Sequence, residues 1–479
     1  MAGLNERGIA ADLSRVSRWE SGTQPVPGRV VLAYESILGL PSGSLLATAR
    51  AVQRAGGGRS ARPDAGVYTD DAARGAAELE NLLELATSAR PRMNGGDWLR
   101  LAVELSRFEY VFLPRTGWRV LCSRLIGELA RTSGADQLRR YEACVVLVQH
   151  PQGQGHMVRA LGEWLLHPDV QVAAPMLSLL QEIDAEAASQ LVLRLLGVEV
   201  RPVRDGALSV AAAKLARSHF DPTTVVQLEA HGRRRILGAP NPALLVNALD
   251  LVAQLPPHAY DALVAEVRDP LLRSRVEQAR QYAELMPTEV GRSLARSIAT
   301  QTQDATSRVG SDSDRMLEHL IHELLSHVHE PRRAAAGRLI AASPYHAVVA
   351  DRLLELTADD NDLVATRAWD ALLTLGSPGR RDVAARAIAE TRPHVRVGAL
   401  AALRGCPAAL DDAHGAAVAD IARTTSAPDI RSHALTTLGL RSPTTLEALI
   451  DATPEITRAV YWWQGVGSAH IDDDTAPAS

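Results

Sequence analysis

One pattern constrains the fold of this chain more than any other. A small residue, a large apolar residue, two variable positions and a leucine recur as Ala368-Trp369 with Leu372, Ala399-Leu400 with Leu403, and Ala434-Leu435 with Leu438. The copies lie 31 and 35 residues apart. Each follows a helix-start signal: Asn361-Asp362, then Arg392-Pro393-His394-Val395-Arg396, then Ala427-Pro428-Asp429-Ile430-Arg431. A capping side chain satisfies an orphan backbone donor, a first-turn proline removes one, and the small residue lets neighbouring helices approach. A step of this length holds one helical pair. Because one pair cannot bury its apolar face alone, the spacing predicts pairs stacked side by side. No alternating strand pair is found elsewhere, so the expected class is all-α.

These lines resemble short HEAT-like repeats, above all in the Asp/His-Ile/Val-Arg start followed by Ala-Leu-x-x-Leu. Weaker copies occur at Pro168-Asp169-Val170, Arg201-Pro202-Val203-Arg204 and Glu330-Pro331-Arg332-Arg333, so the similarity can be traced over residues 73 to 460 and is specific from about residue 330 onwards. Such solenoids in general bind partners on a concave surface. The resemblance therefore implies a body that senses an effector, binds a protein partner or self-associates through its repeats, and it implies no reaction.

At 479 residues, 46% hydrophobic and 22% charged, the chain has the composition of a soluble globular protein of several units. No apolar run reaches membrane-spanning length, and Glu6, Arg7, Asp12, Arg15, Arg18 and Glu20 occupy the region where a signal peptide would be apolar. The expectation is a cytoplasmic protein with no membrane partner. Cys122, Cys144 and Cys406 form no paired spacing and read as buried apolar residues. Lys214 is the one lysine, in a helical context without a glycine loop, which excludes phosphate-loop ATPase chemistry. No nucleophile elbow or triad signature is present, so no catalytic residue and no cofactor is assigned and the chain reads as a non-enzyme.

Glycine, proline and short polar residues mark linkers at 56–72 and 301–314. The expected organisation is a head at 1–55, a linker at 56–72, a helical repeat block at 73–300, a polar linker at 301–314, a HEAT-like block at 315–463 and a disordered tail at 464–479. Charge divides along the same lines. Residues 1 to 62 carry eight arginines and four carboxylates, a balance of +4, and the remainder carries −9. A basic head on an acidic body fits a nucleic-acid contact confined to the N-terminus.

Within the head, Asp12 is a good N-cap and Gly22 a good stop for a helix Leu13-Ser-Arg-Val16-Ser-Arg-Trp19-Glu-Ser21. At 100° per residue Leu13, Val16 and Trp19 share the inward face, leaving Ser14, Arg18 and Ser21 outward with Arg15 and Ser17 beside them. A second helix has Val30, Val31, Tyr34, Ile37 and Leu38 inward, and a third follows Gly39-Leu40-Pro41 with Leu45, Leu46, Ala49 and Val52 inward.

This segment is similar to the C-terminal two thirds of the Xre-type, repressor-like helix-turn-helix domain of regulators of actinobacterial type. The matching residues are Ser14-Arg15-Val16-Ser17-Arg18-Trp19-Glu20-Ser21-Gly22, Ala33-Tyr34-Glu35 and Leu38-Gly39-Leu40-Pro41. The resemblance is to an N-terminally shortened member, since only Met1 to Ala11 precede the matching helix. It implies a partial helix-turn-helix head that binds double-stranded DNA, with Ser14, Arg15, Ser17 and Arg18 facing the duplex. Arginine can present a bidentate fork to guanine, and serine can bond a base edge or phosphate. The alternative is a HEAT-like scaffold whose head is vestigial, with Arg15 and Arg18 on a solvated face pairing with Glu20 or Glu35.

Two further clusters carry alternatives. Glu318-His319, His322-Glu323, His327 and His329 have helical spacings that could converge on a metal, yet the gluzincin pattern needs histidine where Ser326 stands. A polar outer face opposite Leu317, Leu320, Ile321, Leu324 and Leu325 is the simpler account, and no metal is assigned. Tyr461-Trp462-Trp463 reads either as a cap on the last repeat or as an aromatic docking surface.

Overall fold

The computed structural model describes residues 2–21, 23–55, 67–68, 72–88, 93–238, 245–281, 286, 288–306, 315–327, 330–376, 381–405, 410–467 and 470–471. Every element among them that is longer than a single bridge is a helix, 27 in all, packed as a solenoid. The head contains α1 (Ala2–Glu6), α2 (Leu13–Glu20), α3 (Gly28–Leu38) and α4 (Ser44–Ala55). The body begins with α5 (Ala72–Thr87), α6 (Gly95–Leu105), α7 (Arg115–Ala130), α8 (Gly134–Val148), α9 (Gly153–Leu165) and α10 (Ala174–Gln181).

The three repeat copies fall on helices Asp362–Leu375, Pro393–Gly405 and Pro428–Arg441, which stack one on the next. Ala368, Trp369 and Leu372, with their counterparts in the other two copies, are all buried. The predicted helix starts operate as caps: Asn361 Oδ1 accepts from Leu363 N–H at 3.0 Å, while Pro393 and Pro428 open their helices. Helices His346–Leu356, Arg381–Ala389 and Asp412–Thr424 form the second layer. The first block repeats the plan, with α6, α8, α10 and Arg201–Ala216 in one layer and α5, α7 and α9 in the other.

The solenoid closes on itself. Helix α8 packs against α6, α4, α10 and Asp362–Leu375, so that Ala143 to Val148 are buried in succession. Thr436 Oγ1 donates to Gln171 O at 3.2 Å, Arg441 reaches Ser133 Oγ at 2.7 Å, and Arg458 pairs with Asp169 at 3.1 Å. Trp462 sits edge-on to Trp164 at 5.2 Å. One continuous apolar cluster consequently runs from Leu46 to Trp463. Along α8, the layer of α6, α8 and α10 meets helix Asp362–Leu375 of the second block.

Several boundaries differ from the sequence reading. The helix Thr288–Ala305 continues through Gln301, where a polar linker is expected, because Ile298, Ala299 and Thr302 keep its apolar face seated. The last helix, Pro454–Val466, runs past the expected tail start at 464, and Ile471 is buried with its N–H donated to Arg131 O at 2.9 Å. Most of the expected 56–72 linker, and the tail beyond Ile471, lie outside the described residues. Trp462 and Trp463 are buried and Tyr461 is exposed. The Trp463 ring occupies the space over Gly439, where any Cβ would lie 2.2 Å from it.

Candidate nucleic-acid interface

Helix α2 starts as its sequence requires. Asp12 Oδ1 accepts the Arg15 N–H at 2.7 Å, which satisfies one of the orphan donors of the first turn. Trp19 anchors the other end in a small core with Leu4, Val30 and Ala33, flanked by Ile9, Ala11, Val16 and Tyr34. The sequence reading assigned no helix to Met1–Ala11, yet α1 lies there and contributes Leu4. Its signal was a lone leucine followed by Ile9, too short a run for helical periodicity to register.

Ser14, Arg15, Ser17 and Arg18 are all exposed on α2. The Arg15 guanidinium donates to Ala10 O at 3.2 Å and lies 5.6 Å from the Trp19 ring, which holds it against the helix start. Arg18, one turn later, shares the exposed side. The four side chains form one polar strip, with the guanidinium groups at i and i+3. Glu20 points elsewhere, accepting from the Tyr34 hydroxyl at 3.4 Å.

Leu13 corrects the periodic reading: it is 72% exposed, although it shares a helical face with Val16 and Trp19. It is the first residue of α2, one turn before Val16, the first residue of that helix packed against the head core. Ile37 and Leu38, also expected inward, are exposed at the far end of α3.

Glu35 was weighed as a partner for Arg15 or Arg18 and has a different role. It is buried and accepts the backbone N–H groups of Gly43 at 2.7 Å and Leu46 at 2.9 Å, capping α4 from the preceding helix. Burial pushes its carboxyl upward and these backbone donors oppose the shift.

Helix α4, grouped with the head in sequence, packs on α8 and on helix Glu330–Ala341 of the body. Its inward residues are Leu46, Ala47, Thr48, Ala51 and Arg54, while Ala49 is exposed. Arg54 engages both oxygens of the fully buried Glu142, and its Nε lies 3.8 Å from Glu182. The Ser42-Gly43 turn is equally close-packed: a Cβ on Gly96 would lie 2.6 Å from Ser42 O, and Gly43 has φ +80. Head and body meet through α4, with Val31 and Leu32 of α3 also packed against the main apolar cluster.

The histidine cluster lies on helix Arg315–Ser326, whose Leu317, Ile321, Leu324 and Leu325 are buried. His319 Nε2 stands 3.5 Å from Glu323 Oε1, and Glu323 is also engaged by Arg332. Among the described residues no three His, Cys, Asp or Glu side chains converge as metal ligands, and His329 lies outside them. Cys122 and Cys144 are buried and unpaired, with the Cys122 thiol pushed up to about 12 by burial; Cys406 is outside the described residues. Lys214 is fully buried, donates to Ile183 O and faces the Phe220 ring at 5.4 Å. Burial lowers its ammonium to about 8. No helix among the described residues is long and apolar enough to cross a membrane.

No protein-family model and no curated protein matches the chain. Among structures, it is similar to an engineered protein at 15% identity, covering 81% of this chain and 99% of that one with a TM-score of 0.21. It is also similar to a full-length AP-3 complex in an intermediate open conformation, at 13% identity, covering 89% and 79% with a TM-score of 0.28. Neither overlay carries an argument about this chain beyond the helical class already evident in its own packing.

Proposed function

We propose that the chain is a sequence-specific, cytoplasmic DNA-binding transcription regulator whose helical-repeat body mediates protein interaction or effector sensing. One observation carries this reading: Ser14, Arg15, Ser17 and Arg18 all stand in solvent on a helix held by its own tryptophan-anchored core. Guanidinium groups on such a helix contact guanine edges or phosphates, and phosphate contacts make the affinity salt-dependent.

Fluorescence polarisation with genomic duplex fragments tests it, comparing wild type with Arg15→Ala/Arg18→Ala. The double variant is expected to bind at least tenfold more weakly, consistent with about 1–3 kcal/mol per specific arginine contact. Equal binding by the two proteins would sink the assigned face.

A second reading, a scaffold whose head does not touch DNA, is favoured by the seating of α4 in the body through Arg54 and Glu142. In that case the head is a strut of the solenoid, and neither protein binds duplex even at low ionic strength.

A further inference from the structure

The segment between α6 and α7 presents an aromatic ladder. The chain has three phenylalanines and eight tyrosines, and Phe108, Tyr110 and Phe112 gather three of these eleven rings into five residues. They lie on an irregular loop, with a bend at Glu109 and a tight turn in which the Leu113 N–H donates to Val111 O at 2.8 Å. All three are exposed, at 45%, 63% and 93%, and the Tyr110 and Phe112 rings meet edge to face at 5.1 Å. Leaving such rings in water forgoes burial worth about 1.5–3 kcal/mol for a phenylalanine.

The body holds this segment rigidly from behind. His150 Nε2 lies 3.0 Å from Phe108 O, and the Val111 N–H donates to Gln152 Oε1 at 2.6 Å. His150 packs in turn on buried Trp118 at 5.3 Å, and His156 stacks on the same indole at 6.2 Å. The adjoining surface is cationic. Arg115 and Arg119 lie one turn apart on α7, Arg159 is on α9, and the charges of Arg159 and Arg115 both reach His156. All three arginines are exposed, and no carboxylate pairs with them among the described residues. Nearby, Glu104 is already engaged by Arg107 at 2.7 Å, leaving Glu109 and Glu163 as the opposing charges.

We infer that this face binds single-stranded nucleic acid, with bases stacking on Phe108, Tyr110 and Phe112 and phosphates on Arg115, Arg119 and Arg159. Exposed rings beside arginines that no carboxylate pairs with among the described residues fit a chain that alternates π-faces with anions, the combination on which sequence-tolerant single-strand binding rests. This site is independent of the duplex reading of α2 and survives its failure.

The test is polarisation of a labelled twenty-nucleotide oligothymidylate with the full chain at low salt. Wild type is expected to bind, and Tyr110→Ala/Phe112→Ala to bind at least about fivefold more weakly per lost ring. Phe112→Leu, which keeps apolar bulk without the π-face, should bind about fivefold more weakly than wild type, the loss of one ring. The Arg115→Ala/Arg119→Ala/Arg159→Ala variant should bind weakly and with a flatter salt dependence, and Arg15→Ala/Arg18→Ala should bind like wild type. Circular dichroism melts of the ladder variants are expected to match wild type, since the rings carry little packing. No binding, or binding unchanged by loss of the rings, would overturn the inference. So would a polyglutamate peptide that competes as well as the oligonucleotide and is restored by Phe112→Leu; that result reassigns the face to an acidic protein partner.

Discussion

The head and the body are built from the same kind of helix and differ in how many sides of each helix are covered. In the body, α8 and the three repeat helices have neighbours in their own layer, in the second layer and, for α8, in the opposite half of the closed solenoid. In the head, a core of Leu4, Trp19, Val30 and Ala33 stands apart from the body cluster. Five-residue α1 is about 7.5 Å long against about 16 Å for α3, so it cannot cover that helix's full length. Leu38 is accordingly 62% exposed. Covered sides, rather than hydrophobic content, decide how far each region is fixed.

The largest expected effect tests where the body ends. Glu142→Ala strips the buried carboxylate from Arg54 and Arg50, leaving Arg54 with only Glu182 at 3.8 Å beside its guanidinium at the α4–α8 junction. Breaking a buried pair this way costs about 3–5 kcal/mol, read as a lowered urea midpoint. Replacing both residues by apolar ones of similar volume should restore most of that loss. A single-variant cost under about 1 kcal/mol would mean that α4 belongs to the head alone.

A smaller and more local effect is expected at Trp19→Ala. Removing a buried tryptophan from a large core typically costs about 3–5 kcal/mol, but here the loss is confined to a core of four buried residues. Hydrogen exchange should show the amides of α1 to α3 losing protection while those of α8 keep theirs. Equal deprotection of α8 would erase the distinction between the regions.

The same contrast governs what was legible in the sequence. The repeat motif identified buried positions correctly because covered helices obey periodicity on every turn: Trp369, Leu400 and Leu435 are all buried. Val16 and Trp19 also pack as expected, and Ser14, Arg15, Ser17 and Arg18 are exposed as the outward face requires. What could not be read was long-range. No local pattern announces that Thr436 bonds Gln171, 265 residues away, or that Glu35 caps the next helix rather than meeting Arg18. The aromatic ladder was missed because periodic analysis passes over segments that are neither helix nor paired strand.

Acidity should act on the body through His433. Burial, and then the charge of Arg404, lower its imidazole from an ordinary 6.5 to about 3, and Arg404 stands 3.3 Å from Nδ1. The unfolded chain therefore takes up this proton first as pH falls. The contribution is fully present above about 6.5 and is lost progressively toward about 3. His433→Asn should flatten the decline in melting temperature over that window, and an unchanged profile would show that other groups control it.

The smallest expected effect is the most pointed test of the periodic reading. Leu13 occupies an inward position by helical angle, so a covered α2 would lose about 2–5 kcal/mol on its truncation. At 72% exposure it has little packing to lose. Leu13→Ser should therefore change stability by no more than about 0.5 kcal/mol, the range typical of surface sites. Because Asp12 supplies the cap through its own carboxylate, the new serine does not displace it. A loss near 2 kcal/mol, measured by hydrogen exchange within α2, would show that Leu13 is covered in solution and that the head buries more than its four-residue core.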